Sequence, residues 1–115
     1  MTVTIYHNPR CSKSRETLAL LEANGVEPEI VLYLDNPPSK AVLKTLVKNL
    51  GFSSAREMMR TKEDVYRELA LAAETKEAAL IEAMAENPVL IERPIVVNGG
   101  KAAIGRPPEN VLAIL

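Results

Sequence analysis

A chain of 115 residues with 14 Lys and Arg against 15 Asp and Glu has a net charge of −1. That balance argues against a general nucleic-acid or anionic-membrane surface, and no apolar run approaches membrane-spanning length. With 47% hydrophobic and 25% charged residues, the composition is that of one folded domain, expected over residues 1–115. A single cysteine cannot form an internal disulfide, and the N-terminus enters a strand without a signal-peptide pattern, so a cytoplasmic monomer is expected.

In chain order, residues 2–6 alternate as a first strand, and residues 12–24 read as a helix closed by Asn24-Gly25. Glu29-Ile30-Val31-Leu32-Tyr33 reads as a second strand, apolar enough to be buried on both faces. Asp35–Pro38 is a loop, and Ser39 caps a helix to about Leu50 with Leu43, Leu46, Val47 and Leu50 in one stripe. Ser54 and Glu57 have capping-box spacing, as do Thr61 and Asp64, giving helices at 54–59 and 62–73. A longer helix covers 76–86 and stops at Asn87-Pro88. Residues 94–98 and 101–104 form a hairpin around Asn98-Gly99-Gly100, and Pro107-Pro108 opens a last short helix. The fold expected is α/β and thioredoxin-like: a four-stranded mixed sheet flanked by helices on both faces, with a helical insertion between strands 2 and 3.

The stretch from His7 to Arg15 holds the only cysteine and the only histidine. Cys11 falls on the turn from strand 1 into helix 1, where free backbone N–H groups and the helix dipole stabilise an anion. A lone cysteine is ordinarily a small buried hydrophobe. The neighbours Pro9, Arg10, Ser12, Lys13, Ser14 and Arg15 are not core residues, and their cations favour a reactive thiolate. One cysteine and one histidine do not make a zinc site, so no metal and no bound cofactor are expected. Position 17 is Thr, which excludes the cysteine phosphatase loop with its arginine six residues after the cysteine. Neither usual glycine-rich nucleotide loop is present.

His7-Asn8-Pro9-x-Cys11-x-x-Ser14-Arg15, the helical block with Arg60, then Arg93-Pro94-Ile95 and Gly105-Arg106-Pro107 resemble the glutaredoxin-linked arsenate reductase family from residue 2 to about 112. The resemblance implies that Cys11 attacks arsenate and becomes a cysteine–arsenate adduct. It implies that Arg60, Arg93 and Arg106 hold the oxyanion, that His7 favours the thiolate indirectly, and that Ser14 and Arg15 lie near the thiol at the helix start. It makes Pro94 the cis-proline facing the active-site turn. Arg56 and Arg67, on nearby segments, are alternatives to Arg60.

The chemistry is coherent without the resemblance, because a tetrahedral dianion needs several fixed cationic donors and arginine grips oxyanions in pairs. Ser14 stands where a Cys-x-x-Cys partner would be, so the resolving thiol comes from outside. Glutathione is the expected co-substrate and glutaredoxin the expected partner that resolves the mixed disulfide. Two other readings stay open: a monothiol reductase of another oxyanion or of glutathione mixed disulfides, and a non-catalytic regulator of this fold that docks on RNA polymerase. Ser14 speaks against the second, since that branch typically carries Cys-x-x-Cys. The run Cys-Ser-Lys-Ser-Arg differs from the Cys-Gly-Thr-Ser-Arg of resistance enzymes, and Lys13 bears on the anion site.

Overall fold

Val3 and Ile5 alternate with Thr4 and Tyr6, and this period of two makes β1 (Val3–Tyr6) the strand on which the sheet is assembled. The computed structural model describes residues 2–115. The chain forms two compact units, one made of the segment up to Asn36 together with Arg93–Leu115, the other of Pro37–Glu92.

In the first unit β1 pairs parallel with β2 (Glu29–Val31), Ile5 lying opposite Ile30, and antiparallel with β3 (Ile95–Asn98), Ile5 lying opposite Val96. The strand β4 (Lys101–Ile104) extends β3, so the order is β2-β1-β3-β4. A parallel pair needs a crossover, and α1 (Ser12–Ala23) supplies it. Gly25 ends this helix at φ +77°. Val26 N–H donates to the Leu21 carbonyl and Gly25 N–H to that of Glu22, each at 3.0 Å, the closing pattern that favours glycine. Val3, Ile5, Leu21, Val96 and Val111 form the core of this unit, with Leu18, Val26 and Ile114 packed against it. Each fully buried aliphatic of this kind stabilises by about 1.5–3 kcal/mol. Leu21 and Val111 bring α1 and the C-terminal 3₁₀ segment Pro108–Ile114 to the same face of the sheet.

The second strand corrects one expectation. Its apolar run reads as buried on both faces, but β2 is an edge strand, and Ile30 is 48% and Leu32 38% exposed. A continuous apolar run is compatible with a central parallel strand, and only the strand order places this one at the edge.

The second unit is helical. Ser39 caps α2 (Lys40–Asn49) by accepting from Val42 N–H at 3.2 Å, and Leu43 and Leu46 are its buried stripe. The capping box at Ser54 and Glu57 starts a 3₁₀ turn, Ala55–Met58. Glu77, in the first turn of α4 (Glu77–Glu86), accepts from Ala55 N–H at 2.6 Å and the Ser54 hydroxyl at 2.7 Å. These bonds hold its carboxyl below the ordinary glutamate value. A 3₁₀ turn, Pro88–Leu90, follows, and Met59 bridges to Ile91.

The helix expected over 62–73 is broken. It consists of α3 (Asp64–Glu68) and a 3₁₀ turn, Leu71–Ala73, separated by Ala70 in the left-handed region at φ 54°. Tyr66 and Leu71 are both buried, yet residues five apart point about 140° apart on a continuous helix. The break lets both turn inward. Thr61 is not the cap, because Asp64 pairs with Arg67 at 2.9 Å and the N-cap position is Glu63.

Arg56 fixes this irregular segment. Its guanidinium donates to the Tyr66 hydroxyl, to the Leu71 carbonyl at 2.8 Å and to the Glu74 carbonyl at 2.5 Å. Arg56→Ala leaves part-buried acceptors unsatisfied and is expected to lower unfolding stability by about 2–3 kcal/mol, read by urea denaturation. Among the described residues no helix is long and apolar enough to cross a membrane.

Candidate functional site

The sheet register gathers the site. Tyr6, the last residue of β1, lies opposite Ile95, the first of β3, and Ile95 lies opposite Ile104, the last of β4. Residues just after β1, just before β3 and just after β4 therefore share one end of the sheet. These are His7 to Cys11, Arg93-Pro94 and Gly105-Arg106.

After β1 the chain turns through Asn8, whose carbonyl accepts from Cys11 N–H and whose side-chain oxygen accepts from Arg10 N–H, both at 3.0 Å. Arg15 reaches back from α1 to donate to the Pro9 carbonyl at 2.9 Å and closes this loop. Cys11 is the N-cap of α1, in extended conformation at φ −94°, ψ 124°. The residue is 8% exposed.

Burial on its own pushes the Cys11 thiol up. The Ser14 amide, the Arg93 charge, the Lys13 amide and the Arg106 charge oppose it, and the net result is a thiol held below its ordinary value. The two amides belong to the first helical turn, where N–H groups lack intrahelical acceptors. Arg106 approaches the sulfur directly, with Nη2 3.4 Å from Sγ. It is itself steadied by Nε donating to the Arg93 carbonyl at 2.8 Å. Arg93 contributes charge as well, and its Nε and Nη1 are buried and have no hydrogen-bond partner among the described residues. Buried guanidinium N–H groups left unpaired are costly, and an anion bearing several oxygens would satisfy them.

Ser14 ties the loop to the helix. Its Oγ lies 2.7 Å from His7 Nδ1 and accepts from Asn8 N–H at 3.0 Å. With the Asn8 amide already donating, the Ser14 hydroxyl proton is available to a neutral His7. Burial, then the charge of Arg15, hold His7 below the ordinary histidine value, which favours that neutral form. His7 N–H of the backbone donates to the Val31 carbonyl at 2.9 Å.

Seven of the eight residues expected at the site, namely Cys11, His7, Ser14, Arg15, Arg93, Pro94 and Arg106, lie in the first unit. Both Arg93–Pro94 and Arg106–Pro107 are cis peptide bonds; the second was not expected. Arg60 lies in the helical unit, with Nη1 2.5 Å from Glu63 and Nε 4.0 Å from Glu92. Arg56 is committed to the contacts described above, and Arg67 is exposed beside Asp64. Among the described residues no group of three His, Cys, Asp or Glu side chains is placed to hold a metal ion.

Two residues beside the site carry no assignment from sequence. Thr17 is fully buried on α1, and Gly105 sits directly against it. Gly105 does not have positive φ, so its glycine reflects space rather than backbone conformation. Only the Gly-Arg-Pro context marks it in the sequence.

The family model described as the ArsC family matches residues 6–114. The chain belongs to the ArsC family. It is 66% identical over 114 residues to a protein of Escherichia coli K12 named "Uncharacterized protein YfgD", covering 98% of this chain and 96% of that one. It is 55% identical over 116 residues to a Haemophilus influenzae protein named "Arsenate reductase", covering all of both chains. The solved structure titled "Arsenate reductase from Vibrio cholerae" superposes with a TM-score of 0.97 at 57% identity, covering 100% of this chain and 98% of that one. The mixed sheet flanked by helices is thus that of ArsC-like, thioredoxin-fold proteins.

Within this ArsC-family site, thiolate character rests partly on Arg106. Iodoacetamide alkylation of Cys11 is expected to rise with pH and level off below the value of about 8.5 typical of a free cysteine. Arg106→Ala is expected to move that profile to higher pH and to slow alkylation at pH 7 about tenfold.

Proposed function

We propose that this protein reduces arsenate to arsenite through the Cys11 thiolate, using glutathione as co-substrate and glutaredoxin as redox partner. The reading is carried by one observation: the Cys11 sulfur lies 3.4 Å from the Arg106 guanidinium, in the unit where Arg93 has two buried N–H nitrogens without a partner among the described residues. A nucleophile and donors for a multiply charged oxyanion are what displacement at arsenic requires. Relatives named arsenate reductase that span the full chain support the same substrate.

In the first step the Cys11 sulfur attacks arsenic, an S–As bond forms, and one oxygen leaves as water after protonation. Arg93 and Arg106 stabilise the charge on the remaining oxygens. Glutathione thiolate then attacks the Cys11 sulfur. The S–As bond breaks with its electron pair remaining on arsenic, so As(V) becomes As(III) and arsenite leaves. The product on the protein is a Cys11–glutathione disulfide. A second thiol, delivered by glutaredoxin, attacks the glutathione sulfur and returns Cys11 as thiolate. Two thiols are oxidised to one disulfide for each arsenate reduced.

Ser14 in the place of a second cysteine, and the absence of any other cysteine, support external thiols rather than an internal relay. Ser14 acts here by holding His7 and the loop and by presenting its amide to the sulfur. Arg60 lies in the other unit and carries no step in this scheme.

The test is arsenate-dependent NADPH oxidation coupled through glutathione, glutaredoxin and glutathione reductase. Wild type is expected to turn over and Cys11→Ser to be inactive. Arg93→Ala is expected to lose about 10²–10³ in kcat/KM, the cost of removing one fixed donor from developing oxyanion charge. Wild type inert toward arsenate, with its thiol still titrating below a free cysteine, would instead favour another oxyanion or a glutathione mixed disulfide.

A further inference from the structure

The two halves of the site reach one another through separate pieces of backbone. Cys11 is the N-cap residue of α1 and Thr17 lies on the same helix, so the helix fixes the position of one relative to the other. Arg106 follows Gly105 at the end of β4. The Thr17 hydroxyl donates to the Lys13 carbonyl at 2.7 Å, and the Gly105 carbonyl lies 3.5 Å from it. Gly105 N–H donates to the Pro94 carbonyl at 3.0 Å, so its backbone is held between α1 and the segment that carries Arg93.

There is no room for a side chain at that point. A Cβ on Gly105 would lie 2.4 Å from Thr17 Oγ1, 2.9 Å from Pro94 Cγ and 3.0 Å from Thr17 Cγ2. Two of the three atoms belong to a β-branched, fully buried side chain with few alternative rotamers. Pro94 Cγ is a ring atom and can yield by repuckering. A methyl group at 105 therefore pushes the end of β4 away from α1 and takes the next residue with it.

We propose that the Thr17–Gly105 contact is the spacer that sets how closely the Arg106 guanidinium approaches the Cys11 sulfur. Both are positioning residues, acting through Arg106. The inference rests on the Cys11 thiolate reading of the site but not on arsenate as the substrate.

The test reads the pH profile of Cys11 alkylation in the full-length protein. Gly105→Ala is expected to shift the profile to higher pH and to lower the rate at least threefold at pH well below the midpoint. In an Arg106→Ala background the same substitution is expected to add little, because the charge it displaces is gone. The double variant Thr17→Ala with Gly105→Ala, which removes both crowded Thr17 atoms, is expected to recover the wild-type profile. It also serves where the single variant fails to fold.

A folded Gly105→Ala with an unchanged profile, an equal shift in the Arg106→Ala background, or a double variant that stays shifted would each overturn the spacer. A wild-type profile matching an ordinary cysteine would remove the thiolate reading as well. Loss of arsenate turnover alone, with the profiles behaving as expected, would leave the spacer standing and fail the substrate assignment.

Discussion

A thiol that is buried and yet held below its ordinary value is the constraint on which the rest of this site depends. Removing Cys11 from water favours the neutral thiol, and that effect is the largest acting on it. The thiol is held below its ordinary value only because fixed donors oppose burial from two directions: the first-turn amides of α1 and the guanidinium groups of Arg93 and Arg106. Fixed dipoles and charges of this kind need not reorganise when charge moves. The arrangement that stabilises the thiolate therefore also suits an oxyanion beside it.

The topology places those donors with little side-chain reach. Pairing β3 antiparallel to β1 brings the residues before Ile95 next to the residues after Tyr6, and the tight hairpin returns the chain so that Ile104 is opposite Ile95. Arg93 and Arg106, thirteen positions apart in the chain, come to one end of the sheet beside the N-terminus of α1. The bond from Arg106 Nε to the Arg93 carbonyl then couples them. The helical unit follows a different logic: its irregular stretch from Asp64 to Ala73 is held by the hydrogen bonds of Arg56 rather than by a continuous helix.

Ser14 shows how one side chain serves several needs. At the third position of α1 it presents its amide toward the sulfur, and its hydroxyl joins His7 to the loop that carries Cys11. A cysteine there would supply an internal partner thiol but not the same hydroxyl bridge. The Ser14 hydroxyl thus fixes the loop that carries Cys11 to the first turn of the helix that follows it.

Local pattern and local chemistry were legible in the chain itself. The strand–turn–helix around Cys11, the Ser39 cap, the Ser54–Glu57 capping box and the Asn98-Gly99-Gly100 hairpin depend on neighbours a few residues apart, and those neighbours are contiguous in sequence. The only cysteine, set among cationic neighbours, marked Cys11 as the candidate nucleophile. Tertiary structure alone decided the rest. Strand order exposed Ile30 and Leu32, the burial of both Tyr66 and Leu71 broke a helix at Ala70, and Asp64 turned to Arg67 instead of Thr61. It also gave Gly105 its meaning, through Thr17, 88 positions away. Each of these outcomes depends on which surface another segment occupies, and such long-range packing leaves no periodic trace in the sequence.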